Sequence, residues 1–169
     1  MACRVISCDG ALFVLWGKPT PEDMNLVVDR AETMVRASGR PLVYITRVPV
    51  DAPPPDAEAR KCLDGLMPRM KAACSSYHVV LEGVGFVSSA KRAILAGLMQ
   101  FGWPRSTFFV HASAREVLFA VPREVRPDVE AILALAEGQG LLNATASADS
   151  EPRTAPPGRD PAPGPSPRH

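Results

Sequence analysis

Aromatic side chains are scarce, only 6% of the 169 residues, and no basic stripe is interleaved with them. Nucleic-acid binders combine a basic patch with stacking side chains, so that footprint is missing. Charge of one sign is missing too: the net charge is +1 and charged residues make up 22%. Nothing global steers the chain toward nucleic acid or an anionic surface. Apolar runs are no longer than a strand, far below the ~20 residues a helix needs to span a bilayer. Met1-Ala2-Cys3-Arg4-Val5 lacks the basic, apolar and small-residue order of a secretory leader. A cytoplasmic protein with no membrane span is the expectation.

The four cysteines, Cys3, Cys8, Cys62 and Cys74, show no C-x-x-C spacing. They read as reduced thiols packed as small hydrophobes, because a domain able to build its own core needs no disulfide framework. Only three histidines occur, His78, His111 and His169, with no ligand cluster at metal spacing. His78 and His111 flank apolar strands and read as structural. No cofactor motif is present.

What the chain does have is 46% hydrophobic residues, enough for a core. The opening reads as a hairpin. Arg4 to Cys8 is a strand, Asp9-Gly10 the turn and Ala11 to Trp16 a second strand. Thr20-Pro21-Glu22-Asp23 announces a helix with Met24, Val27, Val28, Ala31 and Val35 on its apolar face and Gly39 as its stop. Pro41 to Ile45 is apolar without alternation, as expected of a strand covered on both faces. After the proline-rich stretch to Pro55, Asp56 caps a second helix carrying Ala59, Leu63, Leu66, Met67, Met70 and Cys74. Gly65 and Pro68 predict a kink or break near Asp64.

Tyr77 to Leu81 is the next strand, and Glu82 to Phe86 a glycine loop. Ser88 or Ser89 opens a third helix that ends near Gly102, and Thr107 to Val110 is the last strand. Helical pattern covers Ala114 to Val121 and resumes over Pro127 to Glu137. The order β-β-α-β-α-β-α-β-α predicts an α/β fold, a mostly parallel sheet of about five strands led by a hairpin. From Asn143 the composition shifts to a proline-rich tail with too little apolar surface to offset the entropy of ordering it. The domain is therefore expected over residues 1–142 and a disordered spacer over 143–169.

A hairpin followed by alternating helices and strands on a small sheet resembles the STAS domains, the anti-sigma-factor-antagonist type of fold, and the STAS-like/SEC14-like small bacterial proteins. The segments that carry the likeness are Val79 to Phe86, Ala93 to Leu98, Phe108 to His111 and the A-x-E-x-L close at Ala114 to Leu118. The resemblance implies a regulatory module that binds another protein and is switched by phosphorylation. The switched hydroxyl of that family follows the strand equivalent to Leu42–Ile45, in an Asp-Ser-Ser/Thr-Gly setting. Here the segment reads Val50-Asp51-Ala52-Pro53-Pro54-Pro55-Asp56, with no hydroxyl after Asp51, so no phosphosite is carried over.

Ligands of open parallel sheets bind outside the carboxyl ends of the strands. The polar groups expected there are Thr46, Arg47, Glu82 and His111, with Asp51 and Ser88 in adjoining loops. A partner-binding face is expected around Arg47, Asp51 and Asp56. A second candidate is an anion site at Gly83, Gly85, Ser88, Ser89, Lys91 and Arg92, where a glycine loop opens a helix and a bound anion would relieve two cations in the first turn. The alternative there is a tight turn with two solvated basic side chains, since neither a third glycine nor G-K-[ST] is present. The leading expectation is a non-enzymatic protein-binding module. Behind it stand a small-ligand binder, taking an anion or a lipid, and more remotely an enzyme using Glu82 and His111.

Overall fold

The computed structural model describes residues 3–49, 56–81 and 107–142. The five strands are β1 (Cys3–Cys8), β2 (Ala11–Trp16), β3 (Leu42–Arg47), β4 (Cys74–Val80) and β5 (Phe108–His111). They form one sheet in the order 1-2-3-4-5. β1 and β2 are antiparallel, and every later pairing is parallel. This is the hairpin-led α/β sheet the sequence predicts.

Four helices are described: α1 (Pro21–Ser38), α2 (Ala57–Ala73), α3 (Ala114–Ala120) and α4 (Arg126–Gly138). α1 and α2 share a core with Leu12, Val14, Leu42, Tyr44 and Tyr77 on one face of the sheet. α3 and α4 share the other core with Phe13, Val43, Ile45 and Val80. Both faces are covered, which is why β2 and β3 carry apolar residues without alternation. None of the described helices is long and apolar enough to cross a membrane.

Local chemistry places the helices. Thr20 and Asp23 form a reciprocal capping box at the start of α1, and Gly39 closes it in the left-handed region at φ 69°. The Asp56 carboxylate accepts the Ala59 amide at 2.9 Å and starts α2. Arg69 of α2 donates to both Glu32 carboxylate oxygens, at 2.8 and 2.9 Å, and to Asp29 at 2.8 Å, tying α2 to α1.

Two expectations are corrected. The break near Asp64 is absent, and α2 runs unbroken from Ala57 to Ala73 with Pro68 inside it. Pro68 and Asp64 both lie on the exposed side, so water can take the carbonyl that proline leaves without a donor. Meanwhile Ala59, Leu66, Met70 and Ala73 stay buried and hold the helix to the core, whereas Leu63, expected inside, is exposed. The second correction concerns β4, which begins at Cys74 directly from the helix and not at Tyr77. Ser75 and Ser76, weak strand formers, are tolerated because their hydroxyls are spent. Ser75 donates to the Leu42 carbonyl at 3.1 Å, and Ser76 bonds His78 at 2.9 Å.

Candidate functional site

Parallel pairing of β2 to β5 brings the carboxyl ends of four strands to one rim. Cross-strand register there makes a row: Leu15 opposite Arg47, Arg47 opposite Val80, Val80 opposite His111. Arg47 and His111 therefore stand in one row on the same face of the sheet, two strands or roughly 10 Å apart. Thr46, named with Arg47 by the sequence, is buried and donates its hydroxyl to the Val14 carbonyl at 3.1 Å. It braces β3 against β2 rather than facing a ligand.

The Arg47 guanidinium donates to the Leu141 carbonyl at 3.1 Å, so the rim is fastened to the chain that follows α4. Asp56 is exposed at the amino end of α2. Because α2 returns the chain from β3 to the parallel strand β4, its amino end lies at the same carboxyl end of the sheet as Arg47, although α2 packs on the opposite face. Of the other residues singled out from the sequence, Asp51, Glu82, Gly83, Gly85, Ser88, Ser89, Lys91 and Arg92 lie outside the described residues, as does the tail from Asn143.

Among the described residues the interior holds a polar arrangement that the sequence reading did not assemble. His78, wholly buried in β4, and His111, the last residue of β5, meet with Nδ1 of the first 3.0 Å from Nε2 of the second. Their planes differ by 13° and their centroids are 5.2 Å apart, so the rings lie side by side, nearly coplanar, head to head. His78 Nε2 is 2.9 Å from the Ser76 hydroxyl. Phe109 lies near-parallel to His78, with ring centroids 5.0 Å apart. At the outer end the Glu116 carboxylate is 3.9 Å from His111 Nδ1. That carboxylate is fixed from behind: it accepts the Ala112 amide at 3.1 Å and the Ser113 hydroxyl at 3.4 Å at the start of α3.

The field of Glu116 gives this chain a polarity. A neutral imidazole has one N–H and one lone pair. With the His111 proton on Nδ1, facing the carboxylate, Nε2 is an acceptor. His78 must then donate from Nδ1, and its Nε2 accepts from the Ser76 hydroxyl. The opposite polarity would aim the His111 lone pair at a negative charge. Burial holds both histidines below the usual imidazole range; a proton on His111 lowers His78 further, and Glu116 partly offsets the shift at His111.

Among the described residues no group of three or more histidine, cysteine or acidic side chains could hold a metal ion. The four cysteines are free thiols. Burial pushes the Cys74 thiol up to about 12, far from a reactive thiolate. The recess of about 320 Å³ lined by Ser7, Cys8, Asp9, Met34, Ala37 and Ser38 sits at the opposite end of the sheet, by the hairpin turn. It holds none of the rim residues.

Sequence reasoning named His111 and missed its partnership with His78. The available signal was parity: Ser76, His78 and Val80 occupy alternate positions and must share a face. Which residue of β5 lies opposite is a matter of register, and no local pattern states it. No family model matches this chain, and no curated protein or solved structure proved similar to it.

Proposed function

We propose that this chain is a non-enzymatic regulatory module of STAS-like type that binds another protein at the rim around Arg47 and Asp56. The observation that carries the reading is where helix α2 begins. In the resembled family the switched hydroxyl sits at the start of the helix that follows the third strand. Here that place belongs to Asp56, exposed and already serving as the N-cap of α2. A carboxylate there presents a permanent negative charge at a helix terminus, with no phosphorylation needed. Arg47, at the end of the preceding strand, supplies the opposite charge on a side chain anchored to the Leu141 carbonyl. A rim with both signs of charge suits selection of a protein partner and fast encounter with it.

The test uses the full chain as bait in native lysate, beside the variants Asp56→Asn and Arg47→Gln. Asparagine keeps a capping oxygen for Ala59 and removes only the charge, so α2 is retained. A protein captured by the parent chain and weakened about tenfold or more by either variant supports the reading. A partner held equally by all three chains moves the binding face elsewhere. Capture of a metabolite or lipid with no protein overturns the module reading in favour of small-ligand binding.

A further inference from the structure

We propose that the Ser76–His78–His111–Glu116 chain is an acid-operated latch that fastens β5 and α3 to the rest of the sheet while its histidines are neutral. The proposal goes beyond the partner-binding reading and stands whether or not the rim binds a protein. It starts from a count of hydrogen positions. In the neutral chain three of the four ring nitrogens are hydrogen-bonded, each contact holding one proton between two heavy atoms, at 2.9 Å to Ser76 and 3.0 Å between the rings, while His111 Nδ1 faces the Glu116 carboxylate at 3.9 Å. One added proton fits if the chain reverses: His111 donates from both nitrogens, His78 donates to Ser76, and the serine hydroxyl turns away. A second added proton sets N–H against N–H across 3.0 Å, a separation too short to admit a bridging water, which the buried geometry does not permit.

Even the first proton brings a charge into the interior. Glu116 faces it at 3.9 Å, but its side chain is half exposed and already shared with Ala112 and Ser113. Arg47, in the same row two strands away, is a cation and offers no compensation. The buried side chains packed on that face from α3 and α4 are apolar, Val117, Val121, Val129 and Ile132 among them, while the charged groups at the start of α4 are Arg126, a further cation with a buried Nε, and Asp128, already paired with Arg40 at 2.8 Å. Acid is therefore relieved by opening, which gives the imidazoles water.

The geometry also says which part opens. β4 pairs with β3 at six positions from Cys74 to Val80, with one irregularity at Ser75, and β3 pairs with β2 at five. β5 is four residues long and meets β4 over four positions. His111 is its last residue, and the His111 carbonyl accepts the Leu81 amide at 3.0 Å. Helix α3 follows after two residues and carries Glu116 in its first turn. Protonation thus acts at the junction where β5 hands over to α3. α4 also touches α3, but it packs mainly on β1 and β2, so it keeps anchors beyond that junction.

The experiment is amide hydrogen exchange on the full chain between pH 7.5 and pH 5.5, corrected for intrinsic exchange. The opening equilibrium of residues 108–111 and 114–120 is expected to rise about tenfold for one histidine and about a hundredfold for both. Residues 11–16 and 42–47, in β2 and β3, keep their protection. A rise under threefold in the β5–α3 segments, or an equal rise in β2 and β3, overturns the latch. In His111→Gln the neutral amide removes one titrating ring, and the response should fall to tenfold or less. A variant that keeps the full parental response overturns the proposal as well. Should this variant not fold at pH 7.5, the segment comparison in the parent chain decides alone.

Discussion

Acidification should cost this fold a defined amount of global stability, and the histidine pair sets the amount. In the unfolded chain His78 and His111 each titrate near pH 6.5. In the folded chain both are held neutral by burial, and a proton on His111 further disfavours one on His78. Below pH 6.5 the unfolded state therefore binds more protons than the native one, so stability falls as pH falls. This contribution is full above about pH 6.5 and is lost progressively toward the depressed folded values. Integrated from pH 7.5 to 5.5, one histidine that stays neutral when folded is worth about 1.4 kcal/mol, and two about 2.7 kcal/mol. The true figure lies between these, because Glu116 partly supports a proton on His111. Ordinary carboxylates contribute little in that window, since their unfolded values lie near 4. Against a total stability of roughly 5–15 kcal/mol the effect is large enough to measure with ease. Urea denaturation at both pH values, with the slope checked for constancy, gives the difference directly. The double variant His78→Phe/His111→Gln should lose most of the pH dependence. If the parent chain loses less than about 0.5 kcal/mol more than the double variant, the pair is not held neutral in the folded state, and the argument from burial fails.

Two other predictions address the frame around the site. A Cβ added at Gly10 would stand 2.5 Å from Asp128 Oδ2 and 3.0 Å from the Arg40 guanidinium, which are joined to each other at 2.8 Å. Gly10→Ala should therefore be destabilising by about 1 kcal/mol as that pair, half-exposed at Arg40 and mostly buried at Asp128, parts, but stabilising by about 0.5 kcal/mol in an Asp128→Ala background, where only the entropy gain remains; equal effects in both backgrounds, read by thermal melts, would exclude the close approach. Asp56→Ala should cost about 1 kcal/mol in urea through loss of the Ala59 cap, with Asp56→Asn near neutral, and a large loss in both would mean that charge and not capping starts α2.

The order of elements was open to sequence reasoning because it rests on local chemistry. Thr20, Asp56 and Gly39 act within three or four residues of the backbone groups they serve, so their types and spacing suffice. The covered strands β2 and β3 announced themselves by apolar runs, and Asp9-Gly10 by a turn dipeptide whose Asp9 adopts φ 33°. Errors came where a local rule was overruled from outside the segment. Pro68 predicted a break, but its orphaned partner faces water and the opposite side of α2 is fixed by burial. Ser75 and Ser76 hid the true start of β4, since hydroxyls discourage a strand unless they find acceptors, and theirs come from Leu42 and His78.

The histidine pair marks the deeper limit. Each ring, taken alone on an apolar strand, is consistent with an isolated structural residue, and composition offers no reason to link positions 33 residues apart. What links them is a parallel register that sets His78 opposite Phe109 and Val80 opposite His111, leaving the two imidazoles diagonal neighbours on one face. A shift of one residue would turn His111 to the other face and leave His78 buried with only Ser76 as partner. A buried imidazole with an unsatisfied nitrogen costs about 1–3 kcal/mol. The pair thus selects its own register: the arrangement that lets both rings bond is the one in which β5 sits correctly on β4. The same contact that would respond to acid is a contact that specifies the edge of the sheet, so replacing both histidines should loosen the placement of β5 even at neutral pH.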